Sequence, residues 1–316
     1  MRNQLATVRT SNIVTFILLL SSKLTFGQSI EYTFNNPKDS TVDCYIAYIP
    51  KAQPQGLLLL LPGFGETTFS ASQETTLPQV ANDNNLLTVI ASLQDGRETF
   101  YVDSISQQHL DKLIFEIQKK YKLQGKTFYL GGFSLGGSGV VKYAERTYSS
   151  TTLVKPNAIF AIDPPLDFER FYKSLNHAIQ FSKSEVALTE AKYFTERIAK
   201  EFNSTPQQNI NVFYVISPYS YSDTLQTEIK KIINCPIRLI TEPDINWQIS
   251  ERNRDYHDMN AIDCSSAINS LKLLGNTNAE LVTTTEKGYR QMTRKRNPHS
   301  WSIAESTNTV KWLIQY

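Results

Sequence analysis

The segment Lys126-Thr-Phe-Tyr-Leu-Gly-Gly-Phe-Ser134-Leu-Gly-Gly-Ser-Gly-Val-Val141 joins a short apolar run to a helix-like one through a set of glycines with a serine among them. Residues 127–130 read as a strand, and residues 138–146 as a helix. Between them, Gly132-Phe-Ser134-Leu-Gly136 fits the pattern G-x-S-x-G. The spacing has a steric cause. A serine on a tight strand-to-helix turn takes a strained backbone conformation, and side chains two residues to either side would collide. Such a turn lifts the hydroxyl clear of the sheet and leaves the Leu135 N–H, at the start of the helix, free to face developing negative charge.

In that context the pattern resembles the nucleophile elbow of the α/β-hydrolase superfamily. The resemblance implies an α/β fold, with a mostly parallel central sheet, helices on both faces and a helical lid insertion. The neighbouring segments fit it. Leu57 to Leu61 is a continuous apolar run, as expected of a strand buried on both faces, and it stops at Pro62-Gly-Phe-Gly-Glu66. In the superfamily the loop after this strand carries a His-Gly-type motif whose backbone completes an oxyanion hole. Pro62 stands at the histidine position, a departure that leaves the backbone function intact. The resemblance assigns the two donors to the N–H groups of Leu135 and Phe64, with Gly65 as the next choice for the second.

Outward from this centre, residues 43–50 and 86–91 read as strands, and residues 103–121 as an amphipathic helix with Ser104 and Gln107 as a capping box. Residues 157–163 give another strand. Residues 166–202 turn helical, and the resemblance implies a lid insertion at about 164–206. Residues 211–217, 236–241 and 279–284 are further strand candidates, with helices over 224–232 and 263–274. A loop through Arg290, Arg294, Lys295 and Arg296 leads to His299 and Trp301. There is no internal repeat and no second domain boundary.

Residues 1–27 have the composition of a secretory signal: Arg2 and Arg9, then an apolar core over 13–20, then small residues near Gly27. The core is too short to span a bilayer comfortably. The expectation is a secreted or periplasmic protein whose mature part, residues 28–316, forms one domain. A net charge of +2 gives no sign of a nucleic-acid partner, and no membrane association is expected after signal cleavage. The 3 cysteines do not make a disulfide framework and have no metal-ligand spacing; Cys235 with Cys264 is the favoured pair in an oxidising compartment.

A serine needs a histidine to take its proton and a carboxylate to orient that histidine. In the superfamily the chain order is serine, acid, histidine. Of the 4 histidines, that order sets aside His109; His177 falls in the helical insertion before any credible acid strand, and His257 lies in a charged stretch with no further strand in front of it. His299, in the loop after the last strand, remains as the base for Ser134. The acid is expected after the next-to-last strand, at Asp244, with Glu242 beside it; Asp163, at the end of the strand after the elbow, is the alternative acid. Trp247 and Trp301 either line the pocket or simply pack. The basic loop, and the stretch with Arg252, Arg254, Asp255 and Asp258, read as solvated charge. The resemblance implies a serine hydrolase, carboxylesterase-like, for a small-molecule or glycan-linked ester, with no cofactor and no metal. Two alternatives stand beside it. One is a peptidase of prolyl-oligopeptidase type, whose elbow shares the form of Gly132 to Gly137. The other is an inactive hydrolase-fold binding protein.

Overall fold

The computed structural model describes residues 29–94 and 96–316; the expected signal segment lies outside the described residues. The described residues form eight strands in one sheet: β1 Ser29–Phe34, β2 Cys44–Ile49, β3 Gly56–Leu61, β4 Leu86–Ser92, β5 Thr127–Phe133, β6 Ala158–Ile162, β7 Ile237–Thr241 and β8 Ala279–Thr283. Their order is β1-β2-β4-β3-β5-β6-β7-β8. Strand β2 is antiparallel to β1 and β4, and every other pairing is parallel. The leucine run lies at the sheet's centre, where Leu59 pairs with both Val89 and Leu130. Residues 57–61 are wholly buried, each leucine contributing roughly 1.5–3 kcal/mol of burial.

Among the described residues, ten α-helices surround the sheet: α1 Thr68–Glu74, α2 Leu77–Asp83, α3 Ser104–Lys120, α4 Leu135–Tyr148, α5 Phe168–Phe181, α6 Glu185–Glu201, α7 Ile210–Ile216, α8 Ile245–Trp247, α9 Asn260–Leu273 and α10 Ser306–Leu313. Because strand side chains alternate faces, Leu57, Leu59 and Leu61 join α3, α4 and α9 in one core. Leu58 and Leu60 join α1, α2 and α10 in the other. Helices α5, α6 and α7, which follow β6, have an aromatic core of their own, centred on Phe168, Phe202 and Phe213, and pack it onto Phe100 and Leu135. Asp263 of α9 anchors the start of this group. It accepts from the amides of Leu166 and Asp167 and pairs with the Arg170 guanidinium.

Some expectations change. Residues 211–217 are not a strand but helix α7. A short apolar run reads either way, and here Asn209 caps it by accepting from the Asn211 amide at 3.2 Å. Of residues 224–232, only Ile229–Ile232 turn, as a 3-10 helix, because Asp223 takes the Leu225 and Thr227 amides into a loop. Asp103, rather than Ser104, caps α3, accepting from Ile105 and Ser106. Strand β1 went unread: its pattern of exposed and half-buried residues suits an edge. All three cysteines are free and buried, so Cys235 and Cys264 are unbridged members of one core.

A buried charge cluster joins α4 to the segment before β7. Lys142 Nζ lies 2.6 Å from Glu228 Oε2 and 3.3 Å from Glu145 Oε2. Glu145 is fully buried, and apart from the 3.3 Å contact with Lys142 its carboxylate oxygens have no close polar partner. Burial pushes its carboxyl up to about 8, against the pull of Lys142. A raised carboxyl favours the folded state while protonated. That contribution is complete below the unfolded value near 4.5 and is lost as pH rises to about 8. Glu145→Gln removes this slope. The gain of the variant over wild type in thermal midpoint is expected to be larger at pH 8.5 than at pH 5, by at least about 3 °C, the shift that ~1 kcal/mol produces in a chain of this size. Thermal scans at the two pH values check it.

Candidate active site

Three strand ends converge. Ser134 follows β5 with φ 53° and ψ −126°, a conformation strained for a residue with a side chain. Its amide is held by the Ile162 carbonyl at 2.8 Å. The glycine spacing has the expected cause: a Cβ on Gly132 would stand 2.5 Å from the Gly136 carbonyl, and one on Gly136 would stand 2.3 Å from the Pro62 oxygen. Asp163 follows β6, also with positive φ (46°), its amide held by Ile240 of β7 at 2.7 Å. His299 arrives from the long loop after β8.

These three side chains meet. His299 Nε2 is 3.0 Å from Ser134 Oγ, and His299 Nδ1 is 2.6 Å from Asp163 Oδ2. The other Asp163 oxygen accepts from the Thr241 hydroxyl at 2.7 Å, so the carboxylate is fixed at both oxygens. The imidazole packs on Phe133, ring centres 4.6 Å apart, and Phe133 packs on Trp301 at 5.4 Å.

The carboxylate at His299 is thus the one after β6, and the expectation of Asp244 is corrected. Asp244 lies beyond Pro243 and caps α8, accepting from the Trp247 amide at 3.1 Å; its second oxygen takes Arg296 at 2.6 Å. Glu242, the other candidate, is buried. It accepts from Thr284 Oγ1 and the amides of Lys287 and Gly288, and pairs with Arg296 at 2.6 Å. Both acids after β7 therefore hold the loop that carries His299. Neither reaches the imidazole.

Both oxyanion candidates belong to the cavity that holds Ser134. Leu135 is the first residue of α4, with no carbonyl four residues back in the helix to receive its amide. Phe64 occupies the turn closed by Glu66 N–H to Gly63 O at 3.1 Å, with Gly65 at φ 82°. Both line a cavity of about 310 Å³ together with Ser134 and His299. The Phe64 ring points into the aromatic core of the helical group, 4.8 Å from Phe194 and 5.8 Å from Phe100.

Glu66 was not singled out in the sequence. It lines the cavity, accepting from the Gly63 amide at 2.9 Å and the Trp301 indole at 3.0 Å, with Arg290 3.5 Å away. Burial pushes its carboxyl up in spite of these partners. The basic loop is likewise not solvated throughout: Arg290 and Arg296 are tied to Glu66, Glu242 and Asp244. Trp301 is a buried support, whereas Trp247 lines the cavity. The remaining histidines lie elsewhere: His109 accepts from the Gln94 amide, His177 packs on Phe181 and His257 is exposed. Among the described residues no group of three or more His, Cys, Asp or Glu is arranged to hold a metal ion.

The sheet order, the helices on both faces and the elbow make this an α/β-hydrolase-fold protein. Residues 77–229 match the model of a family described as an alpha/beta hydrolase of unknown function (DUF915). Solved structures of similar fold include an esterase from Pyrococcus furiosus, 13% identical, covering 92% of this chain and 91% of that one with a TM-score of 0.56. An S-formylglutathione hydrolase from Agrobacterium tumefaciens is 11% identical, with 91% and 94% covered and a TM-score of 0.52. An acylaminoacyl peptidase from Pyrococcus horikoshii is 12% identical, with 86% of this chain but 38% of that one covered and a TM-score of 0.50. No curated protein sequence matches the chain significantly.

The elbow's packing gives a direct test. In Gly136→Ala the added methyl meets the backbone oxygens of Leu61 and Pro62, at 2.4 and 2.3 Å, with no flexible side chain to yield. The variant is expected to accumulate little folded protein, or to lose 10 °C or more in thermal midpoint, on the order of 3 kcal/mol or more. Gly125→Ala, with φ 72° but nothing within 4 Å of the new Cβ, is expected to cost much less.

Proposed function

We propose that the protein is a serine hydrolase of carboxylic esters, with Ser134 as nucleophile, His299 as general base and acid, and Asp163 as the carboxylate that orients it. The observation that carries this reading is the unbroken chain from Ser134 Oγ through the imidazole to Asp163, at the mouth of the elbow and open to a cavity.

The chemistry follows from the placement. Asp163 on Nδ1 sets the tautomer that leaves Nε2 free to accept. As Ser134 Oγ attacks the acyl carbon, its proton passes to Nε2, and Asp163 stabilises the resulting imidazolium. The Leu135 and Phe64 amides receive the negative charge on the carbonyl oxygen. Collapse breaks the bond to the leaving alkoxide, which takes the proton from Nε2. Water then adds to the acyl-enzyme, giving its proton to His299, and the acid departs as the serine regains its hydrogen. Glu66, pinned beside Trp301 and Arg290, is a wall of the site and has no step in this scheme. The α5–α6 pair, whose Phe171 and Phe194 line the cavity, is read as the lid. Export remains the reading of residues 1–27; among the described residues no helix is long and apolar enough to cross a membrane.

A fluorophosphonate probe is expected to modify Ser134, located by mass spectrometry, with the adduct lost in Ser134→Ala and in His299→Ala. Folded wild-type protein that stays unlabelled overturns the reading. For the acid, Asp163→Asn is expected to lower kcat by about 10³–10⁴-fold on a phenyl ester that wild type hydrolyses. Asp244→Asn is expected to cost less than about tenfold, since it loosens a loop anchor and leaves the imidazole's partner in place. The reverse order of effects moves the orienting role to Asp244.

A further inference from the structure

The cavity beside Ser134 is lined by many charges, and nearly all are already matched. Glu66 faces Arg290 at 3.5 Å, Glu190 faces Arg254 at 3.4 Å, Glu242 holds Arg296 at 2.6 Å and Asp163 holds His299. Asp258 spends one oxygen on the Ser174 hydroxyl at 2.6 Å and the other on the Asp255 amide at 3.0 Å. Arg252 is the exception. It lines the cavity, it is half-buried, and among the described residues it has neither carboxylate nor hydrogen-bond acceptor; its guanidinium lies over the Trp247 ring, 5.5 Å from the centroid. Stacking leaves the edge of the guanidinium, with its fork of N–H donors, available.

The backbone that carries it is built to hold that position. Residues Gln248–Arg252 form one wide turn of π-helix, closed by Asn253 in the left-handed region (φ 52°). In front, Asp244 caps the preceding turn and ties it to Arg296. Behind, the Asn253 side chain accepts from the Lys183 amide at 3.0 Å, and the Glu251 carbonyl accepts from Ser184 Oγ at 3.3 Å. The turn is therefore clamped between the His299 loop and the α5–α6 connection. Wide turns of this kind cost helix geometry and recur where a side chain has to be aimed. Gln248, four residues before Arg252, also lines the cavity, and its Oε1 is buried with no partner. A half-turn of that amide exchanges the lone acceptor for an NH₂ donor.

We infer that Arg252, with Gln248 beside it, is a specificity subsite for an oxyanion group of the substrate. The hydrolysed ester then carries a carboxylate or phosphate a few bonds from its scissile carbonyl. This deepens the ester-hydrolase reading and rests on it. A carboxylate or phosphate would take the guanidinium edge in a forked pair and the Gln248 NH₂ as a further donor, giving each buried polar group of the turn a partner.

The test uses matched esters and the folded full chain. Phenyl acetate against 4-carboxyphenyl acetate and 4-phosphonophenyl acetate places the anion in the alcohol part. Phenyl pentanoate against phenyl hydrogen glutarate places it in the acyl part. Wild type is expected to favour the anionic member of at least one pair by tenfold or more in kcat/KM, mainly through KM, and less so as salt is raised. Arg252→Ala should lower kcat/KM for that member at least tenfold more than for its neutral partner, with Arg252→Lys restoring part of the difference. Equal use of both members by wild type, or equal loss on both in Arg252→Ala, overturns the subsite. If Ser134 labels with the probe but no ester here is turned over, binding decides. Calorimetric binding of benzoate or phenylphosphonate to wild type, absent in Arg252→Ala, sustains the subsite, and absence in both overturns it. If Ser134 does not label, the same calorimetry judges the anion site while the hydrolase reading fails on its own.

Discussion

The strained turn at Ser134 is the constraint on which the other parts depend. A serine held at φ 53° is tolerable only if its neighbours prevent it from relaxing. Here they are the backbone of Leu61 and Pro62 pressed against Gly136, the Ile162 carbonyl on the serine amide, and the start of α4. Those contacts require β3, β5 and β6 to be adjacent and parallel. The leucine run enforces this by filling both cores at once. The fold's stability is in this sense what keeps the hydroxyl raised.

The histidine poses the opposite problem. It comes from a long loop with little regular structure, yet its ring is placed to within hydrogen-bonding distance of two partners. A polar clasp supplies the stiffness that secondary structure does not. Glu242 at the end of β7 gathers Thr284, Lys287, Gly288 and Arg296, and Arg296 reaches on to Asp244. Removing one partner of such a buried arrangement strands the others without compensation. The effect would be felt at His299 although none of these groups touches it.

The elbow, the central strands and the position of His299 beside Ser134 were legible because each depends on local sequence: glycine spacing, an apolar run, a place after the last strand. The carboxylate that meets His299 was not, because acids follow two strands at the same rim of the sheet, Asp163 after β6 and Glu242 and Asp244 after β7. What separates them is distance across the sheet, which sequence order does not carry. One cue was present. Asp244 is followed at once by residues able to turn, so its carboxylate had a capping use of its own, whereas Asp163 is followed by Pro164 and Pro165, which have no N–H to claim it. Helix α7 was misread for a related reason. A seven-residue run that is apolar but for Asn211 suits a strand or a helix equally, and only the absence of a neighbouring sheet edge decides. Arg252 reads in the sequence as solvated charge and Glu66 only as the end of a turn, since charged residues in loops look alike until their partners are known.

Phe64 occupies two structures at once. Its amide belongs to the turn beside Ser134, while its ring belongs to the cluster of Phe100, Tyr193 and Phe194 that roots α6. Phe64 thus ties this turn to α6 through ring contacts, while hydrogen bonds between Gly63 and Glu66 close the turn itself. A displacement of α6 would therefore be felt, through one side chain, at a turn that shares the cavity wall with Ser134.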